Sequence, residues 1–181
     1  MEVKKAIETR RAYRALEPID ITDELIRDLA SSAQLAPSCF NYQPWRYVFV
    51  RDAKTLTKIF EFMSSNNEWT RAASMIIAVY SEKSLDCTLP GRDYFLFDTG
   101  MATAFIILRA TEKGLVAHPI AGYKHDEVKG LLGIPREMTL ITLVIVGKHS
   151  ATATTLLTDK QVQIEKHRPI RKDLGEFVQI I

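Results

Sequence analysis

An uninterrupted apolar run of strand length at residues 75–80 constrains the fold most strongly. A strand that carries apolar side chains on both faces is stable only where other layers cover both faces of its sheet. The run therefore predicts a central strand, with further secondary structure packed on either side of it.

Helices and further strands surround this run in mixed order. Thr22 is a favourable helix N-cap, and Gly114 and Gly133 are favourable residues at helix ends. Apolar spacing predicts helices over residues 2–12, 23–36, 56–63, 93–113 and 126–132, and strands over 47–50, 75–80, 115–120 and 140–146, whereas 151–163 is polar and irregular. Because strands and helices do not alternate regularly, the chain is predicted to be α+β.

Length and composition limit the class of protein. The 181 residues fit a single domain, residues 1–181. A net charge of +2, from 24 Lys and Arg against 22 Asp and Glu, argues against nucleic-acid binding driven by bulk charge. No apolar run reaches the ~18 residues of a membrane span, and the N-terminus lacks the features of a secretory signal. The expectation is a cytoplasmic protein with no membrane or nucleic-acid partner.

The two cysteines, Cys39 and Cys87, form neither a Cys-x-x-Cys pair nor a zinc-binding spacing. This pattern favours free thiols in a reducing compartment. No recognisable base accompanies Cys39 to activate it as a nucleophile, so Cys39 is expected to be a small buried thiol.

A basic cluster of Arg10, Arg11 and Arg14 lies near the N-terminus. Arg10 and Arg14 are four residues apart and share a helix face, and Arg11 flanks them. Such guanidinium groups suit a phosphate, because each planar fork donates two parallel hydrogen bonds. The alternative is an ordinary solvated basic face. Lys166 and Arg168 form a second basic group, which would complete an anion clamp if the fold brought the two groups together.

Two further segments carry polar groups in rigid surroundings. Residues 36–45 read Ala-Pro-Ser-Cys-Phe-Asn-Tyr-Gln-Pro-Trp. The amides of Asn41 and Gln43 suit the edge of a flavin or nucleobase, or alternatively hold the loop's own backbone. In residues 118–123, Gly122 permits a close backbone approach, or belongs to an ordinary turn.

No acid, base, nucleophile or metal-ligand motif is recognisable, so any chemistry is expected to belong to a bound cofactor.

Four ordered motifs resemble those of the FMN-dependent nitroreductase family. Residues 10–14, Arg-Arg-Ala-Tyr-Arg, are similar to its Arg-Arg-Ser-x-Arg motif, and residues 36–45 are similar to its Ala-Pro-Ser-x-x-Asn-x-Gln-Pro-Trp loop. Residues 119–123, Pro-Ile-Ala-Gly-Tyr, and residues 166–169, Lys-His-Arg-Pro, follow in the family's order. The resemblance spans nearly the whole chain.

The resemblance implies an α+β sandwich around a central, mainly antiparallel sheet flanked by helices, built as an intertwined homodimer. Two FMN molecules would lie at the subunit interface, each touched by both chains. The C-terminal arm, residues 151–181, would reach the partner subunit, which agrees with the apolar stretch at residues 177–181.

The resemblance also assigns site residues. It implies a phosphate pocket formed by Arg10, Arg11, Ala12, Arg14, Lys166 and Arg168. It implies contacts to the flavin from the opposite subunit by Pro37, Ser38 and Cys39, with Asn41 supporting their loop, and contacts to the ring from the Asn67 side chain and the backbone N–H groups of Ala121 and Gly122. Residues 81–92 are short where larger family members have helices that roof the site.

The implied activity is that of an FMN-dependent oxidoreductase. It would take hydride from NADH or NADPH and reduce a small acceptor of the nitroaromatic or quinone type by a ping-pong mechanism. Two alternatives keep the flavin: another flavin reaction, such as dehydrogenation, dehalogenation or flavin breakdown, and a non-catalytic redox sensor. A third alternative is a basic interaction module without cofactor, which requires Arg10, Arg11 and Arg14 to face solvent.

Overall fold

A computed structural model describes residues 1–181 and contains one antiparallel sheet. Its strands are β1 (Leu16–Glu17), β2 (Arg46–Val50), β3 (Met75–Ser81), β4 (Val116–Ile120) and β5 (Thr139–His149). β5 is the central strand, since it pairs with β1, β3 and β4, and β3 in turn pairs with β2. The strands predicted at residues 47–50, 75–80, 115–120 and 140–146 are therefore confirmed.

Six α-helices accompany the sheet: α1 (Val3–Thr9), α2 (Asp23–Gln34), α3 (Ala53–Glu61), α4 (Tyr94–Glu112), α5 (His125–Leu132) and α6 (Asp159–Lys166). Thr22 caps α2 as predicted, because its side-chain oxygen accepts a hydrogen bond from the Leu25 backbone N–H at 3.2 Å. Gly114 and Gly133 follow α4 and α5 in the left-handed conformation that glycine adopts without strain.

Alternating side chains of β3 and β5 build two separate cores, one on each face of the sheet. Ile76 and Ile145 belong to the core beneath α3 and α5, whereas Ile77 and Val144 belong to the core beneath α2 and α4. All four are completely buried, and full burial of one such side chain contributes about 1.5–3 kcal/mol. The expectation that residues 75–80 are covered on both faces is confirmed.

The prediction that residues 151–163 are irregular is wrong for the second half of that segment, where α6 begins. The Thr158 side chain accepts a hydrogen bond from the Gln161 backbone N–H, and the Gln161 side chain accepts one from the Thr158 backbone N–H. This capping box is visible in the sequence as Thr-x-x-Gln. Since α6 buries none of its residues, it shows no clear apolar periodicity.

Cys39 and Cys87 form a disulfide bond, so the prediction of a free buried thiol at Cys39 is wrong. The two residues are 48 positions apart and meet only in the folded chain, which is why their spacing gives no signal. The bond also removes the cysteine pattern as an argument for a reducing compartment, because that argument required free thiols.

The C-terminal segment after α6 is largely exposed in the single chain. Its one regular element is a short 3-10 helix at Leu174–Glu176, and the apolar side chains of Phe177, Ile180 and Ile181 face solvent. Docking of this segment onto a partner subunit stays a prediction. None of the helices is both long and apolar enough to cross a membrane.

Candidate functional site

Arginines from two distant parts of the chain line one open cleft of about 260 Å³, here called the arginine cleft. The chain after α1 and the chain at the end of α6 meet there. The residues that line the cleft are Arg10, Arg11, Ala12, Arg14, Ile164, Arg168, Pro169 and Arg171. The two basic groups predicted from the sequence therefore come together, but Lys166, exposed at the end of α6, does not line the cleft.

Two of the arginines hold the cleft together. Arg11 Nη2 donates hydrogen bonds to the backbone carbonyls of Ile164, at 3.1 Å, and His167, at 2.9 Å. Arg168 Nη2 donates in the opposite direction, to the backbone carbonyl of Arg10 at 2.8 Å. These reciprocal bonds fasten the C-terminal segment to the N-terminal one, so the two arginines act largely as structural ties.

The guanidinium groups of Arg10, Arg14 and Arg171 make no hydrogen bond or ion pair within the chain, and no Asp or Glu lines the cleft. The nearby Glu165 carboxylate accepts hydrogen bonds from the backbone N–H groups of Arg14 and Ala15 instead. Burial, followed by the charges of Arg168 and Arg171, lowers the pKa of Arg10. Like charges gathered without a counter-ion repel one another, so an anion bound among them gains both charge neutralisation and free donors. The arrangement therefore fits a phosphate group.

Trp69 connects the arginine cleft to a second group of predicted site residues. Its ring is completely buried, with the Arg14 guanidinium 6.0 Å from its centroid and the His118 ring stacked on it at 4.8 Å. Burial lowers the pKa of His118 to about 4, so this imidazole is neutral at pH 7. Trp69 Nε1–H donates to Asn67 Oδ1 at 3.2 Å, which continues the contacts from Arg14 to Asn67.

Asn67 packs against the turn at residues 121–122, here called the Gly122 turn. Asn67 Nδ2 donates to the Gly122 carbonyl at 2.9 Å, and the Ser64 backbone N–H donates to the same carbonyl at 3.0 Å. A Cβ atom at position 122 would lie 2.6 Å from Ser64 Oγ and 2.8 Å from Asn67 Nδ2. The backbone N–H groups of Ala121 and Gly122 make no hydrogen bond within the chain, so both are free to bind a ligand.

The loop at residues 36–45 packs at both ends on the other face of the sheet. Ala36 and Trp45 belong to the core beneath α2 and α4, whereas Trp69 belongs to the core beneath α3 and α5. The sheet therefore lies between this loop and the Gly122 turn. A single chain does not bring residues 37–39 together with the arginine cleft.

Hydrogen bonds inside the 36–45 loop engage its polar side chains. Gln43 Nε2 donates to Asn41 Oδ1 at 3.2 Å, and Ser38 Oγ accepts a hydrogen bond from the Gln43 backbone N–H at 3.0 Å. Phe40, Asn41 and Gln43 all have positive φ, a conformation that these contacts must hold. Gln43 Nε2 also donates to the Asn41 backbone carbonyl at 3.3 Å, so in the single chain these amides bond within the loop, and their contact with a flavin stays a prediction.

The pattern of the nitroreductase family matches residues 7–68 and 61–148 of the chain. The chain belongs to the nitroreductase family. A protein of Archaeoglobus fulgidus with the provisional name NADH dehydrogenase/NAD(P)H nitroreductase is 31% identical over 150 residues, which cover 81% of this chain and 84% of that protein. An iodotyrosine deiodinase of Thermotoga neapolitana is 27% identical over 168 residues, which cover 80% of this chain and 84% of that protein.

Solved structures share the nitroreductase fold. One described as an oxidoreductase containing FMN has a TM-score of 0.85 at 24% identity, covering 99% of this chain and 91% of its own. A protein of Exiguobacterium sibiricum, provisionally described as a nitroreductase and solved in complex with FMN, has a TM-score of 0.82 at 19% identity, covering 100% of this chain and 98% of its own. The predicted nitroreductase-like α+β fold is confirmed.

Arg171 lines the arginine cleft of this nitroreductase-family chain, although no motif of the sequence includes it. Its only sequence signal is its position shortly after Arg168 in a segment already rich in basic residues. Basic residues in an exposed segment are common, so the spacing alone does not separate a site residue from a solvated one.

Replacing Gly122 by alanine should destabilise the Gly122 turn. The added methyl group would clash with Ser64 Oγ and with Asn67 Nδ2, the amide nitrogen that now donates to the Gly122 carbonyl. We expect Gly122→Ala to lower the free energy of unfolding by about 1–3 kcal/mol, the usual cost of overpacking. Urea unfolding followed by circular dichroism measures the change.

Gly130→Ala is the matched control, because Gly130 lies within α5 and a Cβ there meets nothing within 4 Å. Alanine is the better helix former by up to about 1 kcal/mol, so this variant should be as stable as the parent or slightly more stable. If Gly122→Ala also matched the parent, the close approach at the Gly122 turn would not be a constraint.

Proposed function

We propose that this nitroreductase-family protein is a homodimeric, FMN-dependent oxidoreductase that takes hydride from NADH or NADPH and reduces a small acceptor. The observation that carries the proposal is the continuity between two features. The arginine cleft offers free guanidinium groups without a carboxylate partner, and Trp69 and Asn67 join it to a turn with two free backbone N–H groups. FMN combines a phosphate with a polar ring and so matches both features.

The FMN phosphate would bind in the arginine cleft. Arg10, Arg14 and Arg171 supply free donors, while Arg11 and Arg168 keep the two segments of the cleft together. A phosphate there would offset the charges of Arg168 and Arg171, which add to burial in lowering the pKa of Arg10. Ala12 also lines the cleft, without the hydroxyl that the family usually has there. The missing neutral hydrogen bond costs about 1 kcal/mol, which the charged contacts exceed.

The flavin ring would contact the Gly122 turn. The free N–H groups of Ala121 and Gly122 are fixed donors, and donors aimed at a ring that gains electrons stabilise its reduced form. Asn67 would act mainly through this turn, because its amide already bonds the Gly122 carbonyl and the Trp69 indole. The chain would therefore tune the flavin through backbone groups held in place by buried side chains.

The partner subunit would complete the site. The sheet separates residues 37–39 from the arginine cleft of the same chain, so Pro37, Ser38 and Cys39 would reach the flavin only from a second chain. Exposed apolar side chains on and near α4, such as Phe97 and Phe105, offer surface for such a contact. The distribution of these groups over the two faces of the sheet thus supports a site built by two chains.

Bound FMN would supply the chemistry, accepting hydride from the nicotinamide and passing two electrons to the acceptor. The residues of the arginine cleft include no acid and no neutral base. The chain's own part is to bind the phosphate, orient the ring and control access. The provisional name of the Archaeoglobus relative supports NADH or NADPH as donor, and the iodotyrosine deiodinase relative supports reductive dehalogenation as the alternative reaction.

The visible spectrum of the protein, incubated with FMN and freed of excess, tests the proposed function. We expect bands of oxidised flavin that bleach on anaerobic addition of NADH or NADPH and return when a quinone or nitroaromatic is added. A bound flavin that dithionite reduces but neither nucleotide does would favour the redox sensor instead. A chain that takes up no FMN would refute the cofactor assignment.

Removing two free guanidinium groups should weaken FMN binding. In the double variant Arg10→Ala with Arg14→Ala we expect the dissociation constant for FMN to rise about 100-fold or more, because each charged hydrogen bond is worth about 1.5–3 kcal/mol. Quenching of FMN fluorescence on binding measures the constant.

The control removes the same charge outside the cleft, in the double variant Arg27→Ala with Arg136→Ala. Both side chains are exposed and neither lines the arginine cleft. This variant should bind FMN as the parent does, within about threefold, since long-range screened charges contribute little. Equal affinities for both double variants would place the phosphate elsewhere.

The apolar C-terminal tail should stabilise the dimer. Replacing Phe177, Val178, Ile180 and Ile181 by serine keeps the length of the chain and removes the apolar surface. Burial of each such side chain contributes about 1.5–3 kcal/mol, so the dimer dissociation constant should rise by at least about 100-fold. Sedimentation equilibrium measures it, with Lys172→Ser as the control in the same segment. An unchanged constant would mean that the tail does not dock on the partner.

A further inference from the structure

The disulfide between Cys39 and Cys87 ties the 36–45 loop to the segment that precedes α4. Its two halves differ in accessibility, since Cys39 is half-buried whereas Cys87 is only 8% exposed. In the chain without FMN and partner subunit, a thiol that approaches from solvent therefore meets Cys39 first. Attack on Cys39 Sγ makes Cys87 Sγ the leaving group.

Two buried aspartates bracket the disulfide. Asp98 Oδ2 accepts a hydrogen bond from the Cys39 backbone N–H at 2.7 Å, and Asp86 Oδ1 accepts one from the Cys87 backbone N–H at 2.7 Å. The remaining oxygens, Asp86 Oδ2 and Asp98 Oδ1, are buried and have no hydrogen-bond partner. Buried carboxylate oxygens without partners are costly, so this pair needs a proton or a ligand.

A proton on Asp86 would give both unpartnered oxygens, Asp86 Oδ2 and Asp98 Oδ1, a hydrogen bond. Burial is the main cause that raises the pKa of Asp86, and the Asp98 carboxylate raises it further, against the Cys87 N–H that lowers it. When protonated, Asp86 can donate to Asp98 while each aspartate keeps its bond to a cysteine N–H. One Asp86 oxygen and the two sulfurs lie within 4.8 Å of one another, so the Asp86 carboxyl group is close to the sulfur that leaves.

We propose that Cys39 and Cys87 form a second redox centre, a dithiol–disulfide couple that exchanges electrons with external dithiols, and that Asp86 supplies the proton taken up by Cys87. The half-exposed Cys39 is the sulfur that the external thiol attacks, and Asp86, next to Asp98, is the proton donor. The proposal of this redox couple is based on the geometry of Cys39, Cys87, Asp86 and Asp98 and does not depend on FMN.

The exchange takes two steps. A thiolate of the external dithiol attacks Cys39 Sγ and forms a mixed disulfide, and the Cys39–Cys87 bond breaks with its electron pair on Cys87 Sγ, which takes the Asp86 proton. The second thiol of the external dithiol then attacks the mixed disulfide and leaves as an internal disulfide, while its proton passes to Cys39 Sγ. Asp86 regains from water the proton that the first thiol released. Two electrons and two protons thus move from the external dithiol to the two cysteines.

Reduction would release the 36–45 loop from the segment before α4. Its consequence for FMN rests on the proposed function, in which residues 37–39 contact the flavin of the partner subunit. A loop without its covalent tie loses more conformational entropy when it is ordered on a ligand. FMN would therefore bind more weakly to the reduced protein than to the oxidised one.

The first test compares the two thiols one at a time in the full chain without added FMN. Cys87→Ser leaves Cys39 as the only thiol, and Cys39→Ser leaves only Cys87. A chelator is present throughout, because two thiolates and a carboxylate also suit a thiophilic metal. We expect Cys39 to react with the disulfide reagent DTNB at least about 10-fold faster than Cys87. Equal rates, or a parent disulfide that dithiothreitol fails to reduce in the folded protein, would overturn the proposal.

The second test isolates the proton. Asp86→Asn keeps the acceptor for the Cys87 N–H and removes the acidic proton, so reduction by dithiothreitol should slow by at least about 10-fold. Asp93→Asn, at an exposed acid of the same segment, is the matched control and should not slow it. In the Cys87→Ser background, Asp86→Asn should leave the DTNB rate of Cys39 unchanged. A change in that rate would make the role of Asp86 structural and overturn the proton step.

The third test separates this proposal from the proposed function. FMN is titrated into the oxidised and the dithiothreitol-reduced protein, and we expect a dissociation constant about 10-fold higher for the reduced form. Equal constants would overturn the link between the couple and the flavin. If neither form bound FMN, the proposed function would fail while the thiol measurements still decided the redox couple.

Discussion

The two-faced sheet is the constraint on which the rest of the arrangement depends. Because β3 and β5 bury apolar side chains on both faces, whatever packs on one face is separated from the other by the sheet itself. Trp69, with Arg14 and the Gly122 turn beside it, belongs to one face, and the 36–45 loop belongs to the other. In the proposed function a ligand that uses both groups lies between two chains, so the proposed site calls for a dimer.

Hydrogen bonds to backbone carbonyls stabilise the clustered positive charges of the arginine cleft in the absence of a ligand. Arg11 and Arg168 donate to backbone carbonyls of the opposite segment, and these bonds offset part of the repulsion among the guanidinium groups. The same bonds hold the start of the C-terminal arm against the N-terminal segment. Binding of an anion would strengthen this junction, because it removes repulsion that works against it. Occupancy of the cleft and the position of the arm are therefore expected to depend on each other.

The fold was largely predictable because its elements have strong local signals, whereas the site was predictable only in part. Continuous apolar runs define β3 and β5, and Thr22 marks the start of α2. The meeting of Arg10 and Arg14 with Arg168 required a family resemblance, since no local rule places the two ends of a chain together. Neither a local rule nor the family resemblance predicted the Cys39–Cys87 bond or the position of Arg171 in the arginine cleft. Both depend on long-range packing, for which spacing along the sequence carries no information.

The two unusual clusters of this chain are electrostatic opposites. The arginine cleft gathers positive charge with no acid among its lining residues, and Asp86 and Asp98 each bury one carboxylate oxygen that has no hydrogen-bond partner. A fold tolerates such costs where a ligand or a proton offsets them, and groups with perturbed protonation concentrate at functional sites for that reason. Asp98 also bonds the Cys39 backbone, in the loop that would contact the flavin of the partner. A proton gained or lost by Asp86, beside Asp98, would therefore act on the position of that loop, which would link the thiol couple of one subunit to the flavin bound mainly by the other.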